Sequence, residues 1–358
     1  MTYRAQTLEA VNLLRRLIAT PSVSRDEGAA ADLIFCFLQE KGAHPQRLDN
    51  NVWALSEPFD PALPTILLNA HIDTVKPVSG WERDPFTPSL EGDRLYGLGS
   101  NDCGGGLVSL LLTYLDKYKG QSTTDEGQST KCNYVFLASA EEEVSGGKGI
   151  EQVRDRLPRI DLAIVGEPTN LQPAIAEKGL MVVDAVAHGR AGHAARNEGL
   201  NAIDIAIADI LRLKDIQWQT SPLLGGVKTT VTIIEAGTQH NVIPDTCRFT
   251  IDVRTNELYS NEEAFAILQQ QLQSELKARS FRLSSSHIDE EHPFVQRCVA
   301  LGLKPFGSPT LSDQALMPWP SLKLGPGDSA RSHTADEYIC LSEIEQALEL
   351  YRKLTLNQ

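Results

Sequence analysis

Histidine and acidic side chains recur directly after short apolar runs in this chain of 358 residues. They are His71 and Asp73 in N-A-H-I-D-T-V, Asp102 in G-S-N-D-C-G-G-G, Glu141 to Glu143 in A-S-A-E-E-E-V, Glu167 in V-G-E-P-T and His333 in S-H-T-A-D. Imidazole and carboxylate groups hold a divalent cation while leaving a position open for water. The pattern therefore indicates a metal centre that activates water, which is the chemistry of a hydrolase.

The elements that must position these side chains are strands and helices in alternation up to about residue 177. Three continuous apolar runs at 65–70, 134–140 and 161–166 predict buried strands, and the run 105–115 predicts a buried helix between two of them. Strands that are apolar throughout are typical of a mostly parallel sheet with helices on both faces. Ligands bind at the carboxyl ends of the strands in such a sheet, where the candidate residues lie.

The pattern changes near residue 177. Period-two alternation at 181–187, 227–234 and 248–254 predicts a half-exposed antiparallel sheet. Helical patterns near 199–213 and 261–277 accompany it. Around residue 290 the first pattern resumes and ends with an apolar strand at 321–325 and a helix at 342–354.

The fold class predicted from these patterns is α/β, with a separate α+β unit inserted into it. The expected catalytic domain comprises 1–177 and 290–358, and the expected insertion comprises 178–289. The polar stretch 120–131 is predicted to be a surface loop.

Composition restricts the partners. Asp and Glu number 47 against 33 Lys and Arg, which gives a net charge of −14. Nucleic acids and anionic membranes require a basic face, so we expect neither as a partner and favour a small molecule. The first ten residues indicate an amphipathic helix rather than a signal peptide, and no apolar run has membrane-spanning length. Cytoplasmic residence is the resulting expectation.

The six cysteines are scattered without a C-x-x-C pair, which favours reduced and mostly buried thiols. Only Cys103 adjoins a candidate ligand, and the simpler role for it is packing in a tight turn. Each candidate ligand also has a simpler explanation when it is taken singly. Strand-end histidines are often just hydrogen-bonded, and an acidic triplet suits the start of a helix. The number of these residues that share one topology favours a common centre.

A two-metal hydrolytic centre holds its ions about 3.5–4 Å apart and needs a bridging carboxylate, further ligands and a carboxylate base. The chain supplies all of these groups. In sequence order, the motifs H-I-D, N-D-C-G-G-G, E-E-E, V-G-E-P-T, G-H-A-A and G-P-G-D-S-A-R-S-H-T-A-D-E-Y resemble the co-catalytic zinc metallopeptidase and aminoacylase family. The resemblance runs from about residue 20 to the end of the chain. It implies two Zn²⁺ ions per subunit, for which cobalt or manganese can substitute.

The resemblance implies a role for each ligand. His71, Asp102 and Glu167 would hold one zinc, and Asp102, Glu143 and His333 would hold the other, so that Asp102 bridges the pair. One departure follows Asp102, because many family members have a larger residue and then Lys where this chain has Cys103 and three glycines. The ligands are unaffected, but a positive charge near the site is removed.

Two acidic residues beside the ligands have implied roles in the reaction. Glu142 would be the general base, with Glu141 in the place of the family's usual Asp. Asp73 would orient the metal-bound imidazole of His71 through its second nitrogen.

The family resemblance also implies a zinc-peptidase-like fold in which the insertion is a lid and dimerisation domain, and hence a homodimer. His193 in R-A-G-H-A-A-R would reach the partner's active site and stabilise the oxyanion. Asn241 and Arg254 match substrate-contacting positions, and Arg254 would pair with an α-carboxylate. Gly327 is expected to contact substrate as well.

The stretch Gly325 to Ile339 resembles that of acetylornithine deacetylases and of acyl-lysine deacetylases. The expected reaction is therefore hydrolysis of an Nα-acyl amino acid. The first candidate substrate is N-acetylornithine, which would place the protein in arginine biosynthesis. A succinyl group, citrulline, lysine or a dipeptide remain as alternatives, and so does a catalytically silent protein that binds acyl-amino acids. The stretch S-G-G-K-G at 145–149 is not a phosphate-binding loop, and the G-x-S-x-G elbow of serine hydrolases does not occur.

Overall fold

The computed structural model describes residues 3–118, 132–196 and 198–355. The polar stretch predicted as a surface loop at 120–131 lies outside these residues. The chain forms two compact units. The first comprises Met1–Ile175, Ile288–Phe306 and Ser312–Gln358, and the second comprises Ala176–His287 and Gly307–Leu311.

The described residues form helices and strands in the following order. The helices are α1 (Ala5–Ile18), α2 (Gly28–Glu40), α3 (Gly105–Tyr118), α4 (Ile150–Val153), α5 (Ala202–Asp215), α6 (Asn261–Gln271), α7 (Pro293–Ala300) and α8 (Leu341–Thr355). The strands are β1 (Gln46–Leu48), β2 (Asn51–Leu55), β3 (Thr65–His71), β4 (Ser89–Glu91), β5 (Arg94–Tyr96), β6 (Asn133–Ser139), β7 (Leu162–Val165), β8 (Ala174–Glu177), β9 (Met181–His188), β10 (Gly192–His193), β11 (Lys228–Ala236), β12 (Val242–Ile243), β13 (Thr246–Arg254), β14 (Glu275–Ala278), β15 (Ser286–His287), β16 (Phe306–Ser308), β17 (Ser321–Lys323) and β18 (Tyr338–Cys340).

The main sheet of the first unit has the order β1-β2-β6-β3-β7-β17-β8. The four strands β6, β3, β7 and β17 run parallel to one another, and β2 and β8 flank them in the antiparallel sense. Every residue of β3, β6 and β7 is buried, as their continuous apolar runs predict. Because β3 and β6 are parallel with His71 opposite Ser139, both strands deliver the residues that follow them to one edge of the sheet. The predicted α/β class is confirmed.

Helix α3 begins directly after the turn that carries Asp102. All of its predicted core stretch is buried, apart from the half-exposed residue Leu115. A Cβ atom at Gly106 would lie 1.7 Å from the carbonyl oxygen of Gly166. Only glycine therefore allows the start of α3 to approach the segment that carries Glu167 so closely.

The second unit contains an antiparallel sheet of order β11-β13-β9-β14. Alternate residues of β9 and β13 are buried and pack with α5 and α6 in one apolar core. Both helices have side-chain caps at their amino ends, from Asn201 for α5 and from Ser260 for α6. The predicted half-exposed sheet with accompanying helices is confirmed.

The predicted extent of the second helix, 261–277, is wrong at its end. Helix α6 stops at Gln271, and Glu275–Ala278 form the edge strand β14. The buried carboxylate of Asp209 accepts hydrogen bonds from the backbone of Gln273 and from the backbone and hydroxyl of Ser274. These bonds fix an extended backbone, and β14 then gains ladder hydrogen bonds with β9.

All six cysteines are free thiols, as predicted. Within the ranges that the structure describes, no helix combines the length and apolar content needed to span a membrane.

Candidate active site

His71 is the last residue of β3 and is buried. Its Nδ1 atom lies 2.9 Å from the backbone oxygen of Asp73. A carbonyl oxygen only accepts hydrogen bonds, so Nδ1 carries the proton and the lone pair of Nε2 faces away from Asp73. Nε2 lies 3.3 Å from Asp102 Oδ1 and 3.7 Å from Glu167 Oε1. The nitrogen that is free to bind a metal therefore faces two carboxylates.

Asp102 occupies the turn between β5 and α3, and its two oxygens face two different imidazoles. Oδ1 is the atom near His71, and Oδ2 lies 3.7 Å from Nε2 of His333. His333 also lies 2.9 Å from Oε2 of Glu143. The structure thus brings His71, Asp102, Glu143, Glu167 and His333 into one cluster.

The three residues of the Glu141–Glu143 triplet face different surroundings. Glu141 has a left-handed backbone with φ of 54°, and its carboxylate accepts a hydrogen bond from the backbone of Lys148. Glu143 contacts His333, as described above. Glu142 is partly buried and lies where the charges of His71 and Glu167 act on its carboxyl group. One turn therefore directs Glu142 and Glu143 into the cluster and Glu141 to a neighbouring loop.

Asp73 orders this turn through its carboxylate. Oδ1 accepts a hydrogen bond of 3.0 Å from the backbone of Glu142, and Oδ2 accepts one of 3.1 Å from the backbone of Glu143. Ser24 donates a third bond to Oδ2 at 2.7 Å. The nearest acceptor for His71 Nδ1 is the backbone carbonyl of Asp73, since the carboxylate lies 3.5 Å away. The orienting contact to His71 thus comes mainly from the main chain of this residue.

Burial and mutual repulsion disturb the proton affinities of the cluster. Burial raises the pKa of Glu142 well above its usual range. Burial, and then the charge of Asp102, raise the pKa of Glu167 to about 8. The hydrogen bond with Glu143 raises the pKa of His333 to about 9. Burial acts to raise the pKa of Asp102, but the hydrogen bond and charge of His71, the hydrogen bond with Ser332 and the charge of His333 together outweigh it, so that this pKa is lowered. The cluster places four carboxyl groups beside two imidazoles, so that full ionisation of the carboxyl groups would leave a surplus of negative charge.

The donor set fits divalent cations. Ligand atoms of His71, Asp102 and Glu143 lie within 4.8 Å of one another, and those of His71, Cys103 and Glu167 form a second such group. Imidazole and carboxylate donors suit zinc, cobalt and manganese, and a cation compensates the surplus negative charge. Burial raises the pKa of the Cys103 thiol, and its Sγ donates to the backbone oxygen of His71 at 3.5 Å.

His193 and Asn241 lie together in the second unit. His193 belongs to the exposed strand β10, which pairs with β12, and the carbonyl of Asn241 accepts a hydrogen bond from Ala194. The backbone of Ala195 donates to Nδ1 of His193 at 3.1 Å. In a neutral imidazole, Nε2 then carries the proton and is a donor.

Arg254 ends β13 in the same unit. Its Nε and Nη2 atoms donate to the carboxylate of Asp252 at 2.9 and 3.1 Å. A guanidinium is a planar fork with five N–H donors, and this bidentate bond engages one edge of it.

Gly327 lies in the first unit, beside the turn that carries Asp102. Its φ is +88°, and a Cβ atom at this position would lie 2.3 Å from Oδ1 of Asn101. The structure therefore gives Gly327 a packing role against the residue that precedes Asp102. A contact with substrate stays a prediction.

Two buried carboxylates of this region were not predicted from the sequence. Glu337 accepts hydrogen bonds from the backbone of Gly99, Asn101 and Asp102. Asp313 accepts a bond of 2.5 Å from Ser139, and burial raises the pKa of Asp313 to about 6. Glu337 follows His333 by four positions in S-H-T-A-D-E-Y, which is a usable signal. Asp313 has no such signal.

Three comparisons relate this chain to known proteins. The profile of the peptidase dimerisation domain matches residues 175–280. The acetylornithine deacetylase of Pectobacterium carotovorum is 30% identical over 374 residues that cover 95% of each chain.

Solved structures have the same fold. The aminopeptidase PepT of Bacillus cereus superposes with a TM-score of 0.78 at 17% identity and covers 98% of each chain. The YXEP protein of Bacillus subtilis, described as a dinuclear metal binding peptidase from the M20 family, superposes with a TM-score of 0.70 at 18% identity, again over 98% of each chain. The resemblance that the motifs carry is confirmed, and the chain belongs to the M20 family of metal-dependent hydrolases.

Proposed function

We propose that this protein hydrolyses the amide bond of an Nα-acyl amino acid, with Nα-acetylornithine as the first candidate and arginine biosynthesis as the setting. The observation that carries the proposal is the cluster around Asp102, in a chain 30% identical to an acetylornithine deacetylase. Six free thiols support residence in the reducing cytoplasm.

In this proposal the cluster holds two zinc ions, for which cobalt or manganese substitute. His71 and Glu167 would hold one ion, Glu143 and His333 would hold the other, and Asp102 would contribute a carboxylate oxygen to each. The support is that the two oxygens of Asp102 face two different imidazoles. When bound, the metals supply Lewis acidity, which lowers the pKa of water and polarises the amide carbonyl.

Glu142 is the proposed proton carrier. Its carboxylate takes a proton from water as the water oxygen bonds to the acyl carbon. The same carboxyl group then gives that proton to the nitrogen as the carbon–nitrogen bond breaks, so that the products are a free amine and a carboxylic acid, which loses its own proton to solvent. Desolvation raises the pKa of Glu142, which makes its carboxylate a stronger base than an exposed one.

Residues of the second unit are proposed to bind the substrate. His193 Nε2 donates to the developing oxyanion, which is supported by the bond that Nδ1 accepts from Ala195. Arg254 pairs with the α-carboxylate and Asn241 adds a further contact, while Gly327 of the first unit is a separate proposed substrate contact.

A homodimer through the second unit is part of the proposal. Helix α5 exposes Ile207 and Leu211, which lie one turn apart, and the edge strand β11 exposes Ile233 and Ile234. Exposed apolar side chains and an edge strand are features of a protein interface. The match of residues 175–280 to a dimerisation domain supports dimerisation through this unit.

The test is release of free amine from Nα-acetylornithine, Nα-acetylcitrulline, Nα-succinylornithine, Nα-acetyllysine and a dipeptide, measured in parallel with zinc-loaded and chelator-treated protein. Chelator-sensitive turnover, fastest with Nα-acetylornithine, is the expected result. Faster turnover of another substrate would move the assignment to that compound. Absence of turnover with all five, while metal is bound, would contradict the proposal and favour a protein that only binds acyl-amino acids.

A further inference from the structure

Glu337 is a buried carboxylate that the proposed chemistry does not use. It is 2% exposed, lies one position before β18, and its oxygens face the backbone of the Asp102 turn. Oε1 accepts from the amides of Asn101 and Asp102 at 2.8 and 2.9 Å, and Oε2 accepts from Gly99 at 3.1 Å. Three of the four backbone amides from Gly99 to Asp102 thus donate to this one side chain.

The same turn is bound to the segment that carries His333. Nδ2 of Asn101 donates to the carbonyl of Asp328 at 3.0 Å and to the hydroxyl of Ser332 at 3.3 Å. The backbone of Asp328 donates to Oδ1 of Asn101 at 3.1 Å. Glu337 lies at the far end of this segment and fixes it to the turn a second time.

From these contacts we propose that Glu337 is a positioning residue that holds the carboxylate of Asp102 between His71 and His333. The inference rests on the proposed metal site. The Asp102 side chain projects from a backbone whose own amide is bonded to Glu337, so the orientation of the backbone sets the direction of the two oxygens. Without the acceptor, the buried N–H group of Asn101 and the partly buried N–H groups of Gly99 and Asp102 lose their partner, and the turn must rearrange to satisfy them.

The Glu142–Glu143 turn is held in the same way. Both of its amides donate to the carboxylate of Asp73. Each turn of the cluster is therefore fixed by one buried carboxylate that binds main-chain N–H groups. Asp73 is close in sequence to the Glu142–Glu143 turn's neighbour His71, whereas Glu337 is more than 200 residues away from the turn that it holds.

The test uses E337Q, which keeps the size of the side chain but replaces one acceptor oxygen with a donor. Outer residues that orient metal ligands change metal affinity or activity by about 10- to 100-fold. We expect zinc affinity of purified E337Q, measured by chelator competition without substrate, to fall within that range. We also expect an altered absorption spectrum of the cobalt-loaded protein, and a lower kcat with little change in KM at saturating metal.

The matched control is D209N. Asp209 is also buried and also accepts backbone N–H groups, but it does so in the second unit, from Gln273 and Ser274. D209N is expected to lower thermal stability and to leave zinc affinity and the cobalt spectrum unchanged. Equal loss of zinc affinity in E337Q and D209N would overturn the proposal, because the effect would then be general loosening.

A second variant, E337D, keeps the charge but shortens the reach to the three amides. Its zinc affinity is expected to lie between those of E337Q and the unchanged protein. Unchanged zinc affinity and an unchanged cobalt spectrum in E337Q would overturn the positioning role, as would the same result in E337D if E337Q does not fold. Because these measurements need no substrate, they stand even if the proposed deacetylation fails.

Discussion

The candidate ligands of the first unit and the candidate substrate contacts of the second unit differ in how their side chains are held. The side chains of His71, Glu143 and Asp102 are 1%, 7% and 13% exposed, whereas His333 is 51% exposed but contacts both Glu143 and Asp102. His193 lies on an exposed two-residue strand, and the side chain of Arg254 is 32% exposed. Groups that share metal ions need fixed, buried partners, whereas groups that meet a substrate must stay accessible. Substitutions in the cluster of the first unit should therefore abolish hydrolysis, whereas substitutions of the proposed substrate contacts in the second unit should only reduce it.

The largest effect is expected for D102A. Asp102 faces both imidazoles, so its loss removes a ligand from both proposed metal positions. We expect fewer than two metals per chain by elemental analysis and no measurable turnover. Retention of two tightly bound metals would show that Asp102 does not bridge them.

The next effect is that of E142Q, which removes the proposed base and keeps the size of the side chain. General acid–base catalysis contributes about 10²- to 10⁴-fold, and we expect kcat to fall by that factor at unchanged metal content. The control is E141Q, because Glu141 bonds to Lys148 instead of facing the cluster. Equal losses in E141Q and E142Q would contradict the assignment within the triplet.

A smaller loss is expected for H193A, because one oxyanion donor is worth about 10²- to 10³-fold in kcat. Mixed dimers of H193A and E142Q decide which subunit the residue serves. If His193 acts across a two-fold dimer, each mixed dimer keeps one complete site and about half of the normal activity. Mixed dimers as inactive as their parents would place His193 in its own subunit's site.

The smallest effect is expected for R254K. Lysine keeps the charge but loses the planar fork, so KM should rise about tenfold, equivalent to about 1.4 kcal/mol, while kcat changes little. Steady-state kinetics with a substrate and its α-carboxamide analogue would measure this, since the analogue should not distinguish the variants. R248K on the same strand is the control, because Arg248 is exposed and has no proposed contact.

Much of the fold was predictable because local sequence dictates it. Continuous apolar runs identified β3, β6 and β7, and period-two alternation identified β9, β11 and β13. The end of α6 was not predictable from local pattern. Residues 272–277 suit a helix by composition, but the distant carboxylate of Asp209 and the edge of β9 hold them extended.

The sequence by itself determined which residue types stand at the ends of the strands, because the apolar runs mark where each strand stops. The tertiary structure alone decided how these residues meet. It placed Asp102 between His71 and His333, turned Glu141 away from Glu143, and set Glu337 and Asp313 beneath the site. Such contacts depend on backbone direction and on the packing of segments far apart in the chain, for which local periodicity carries no information.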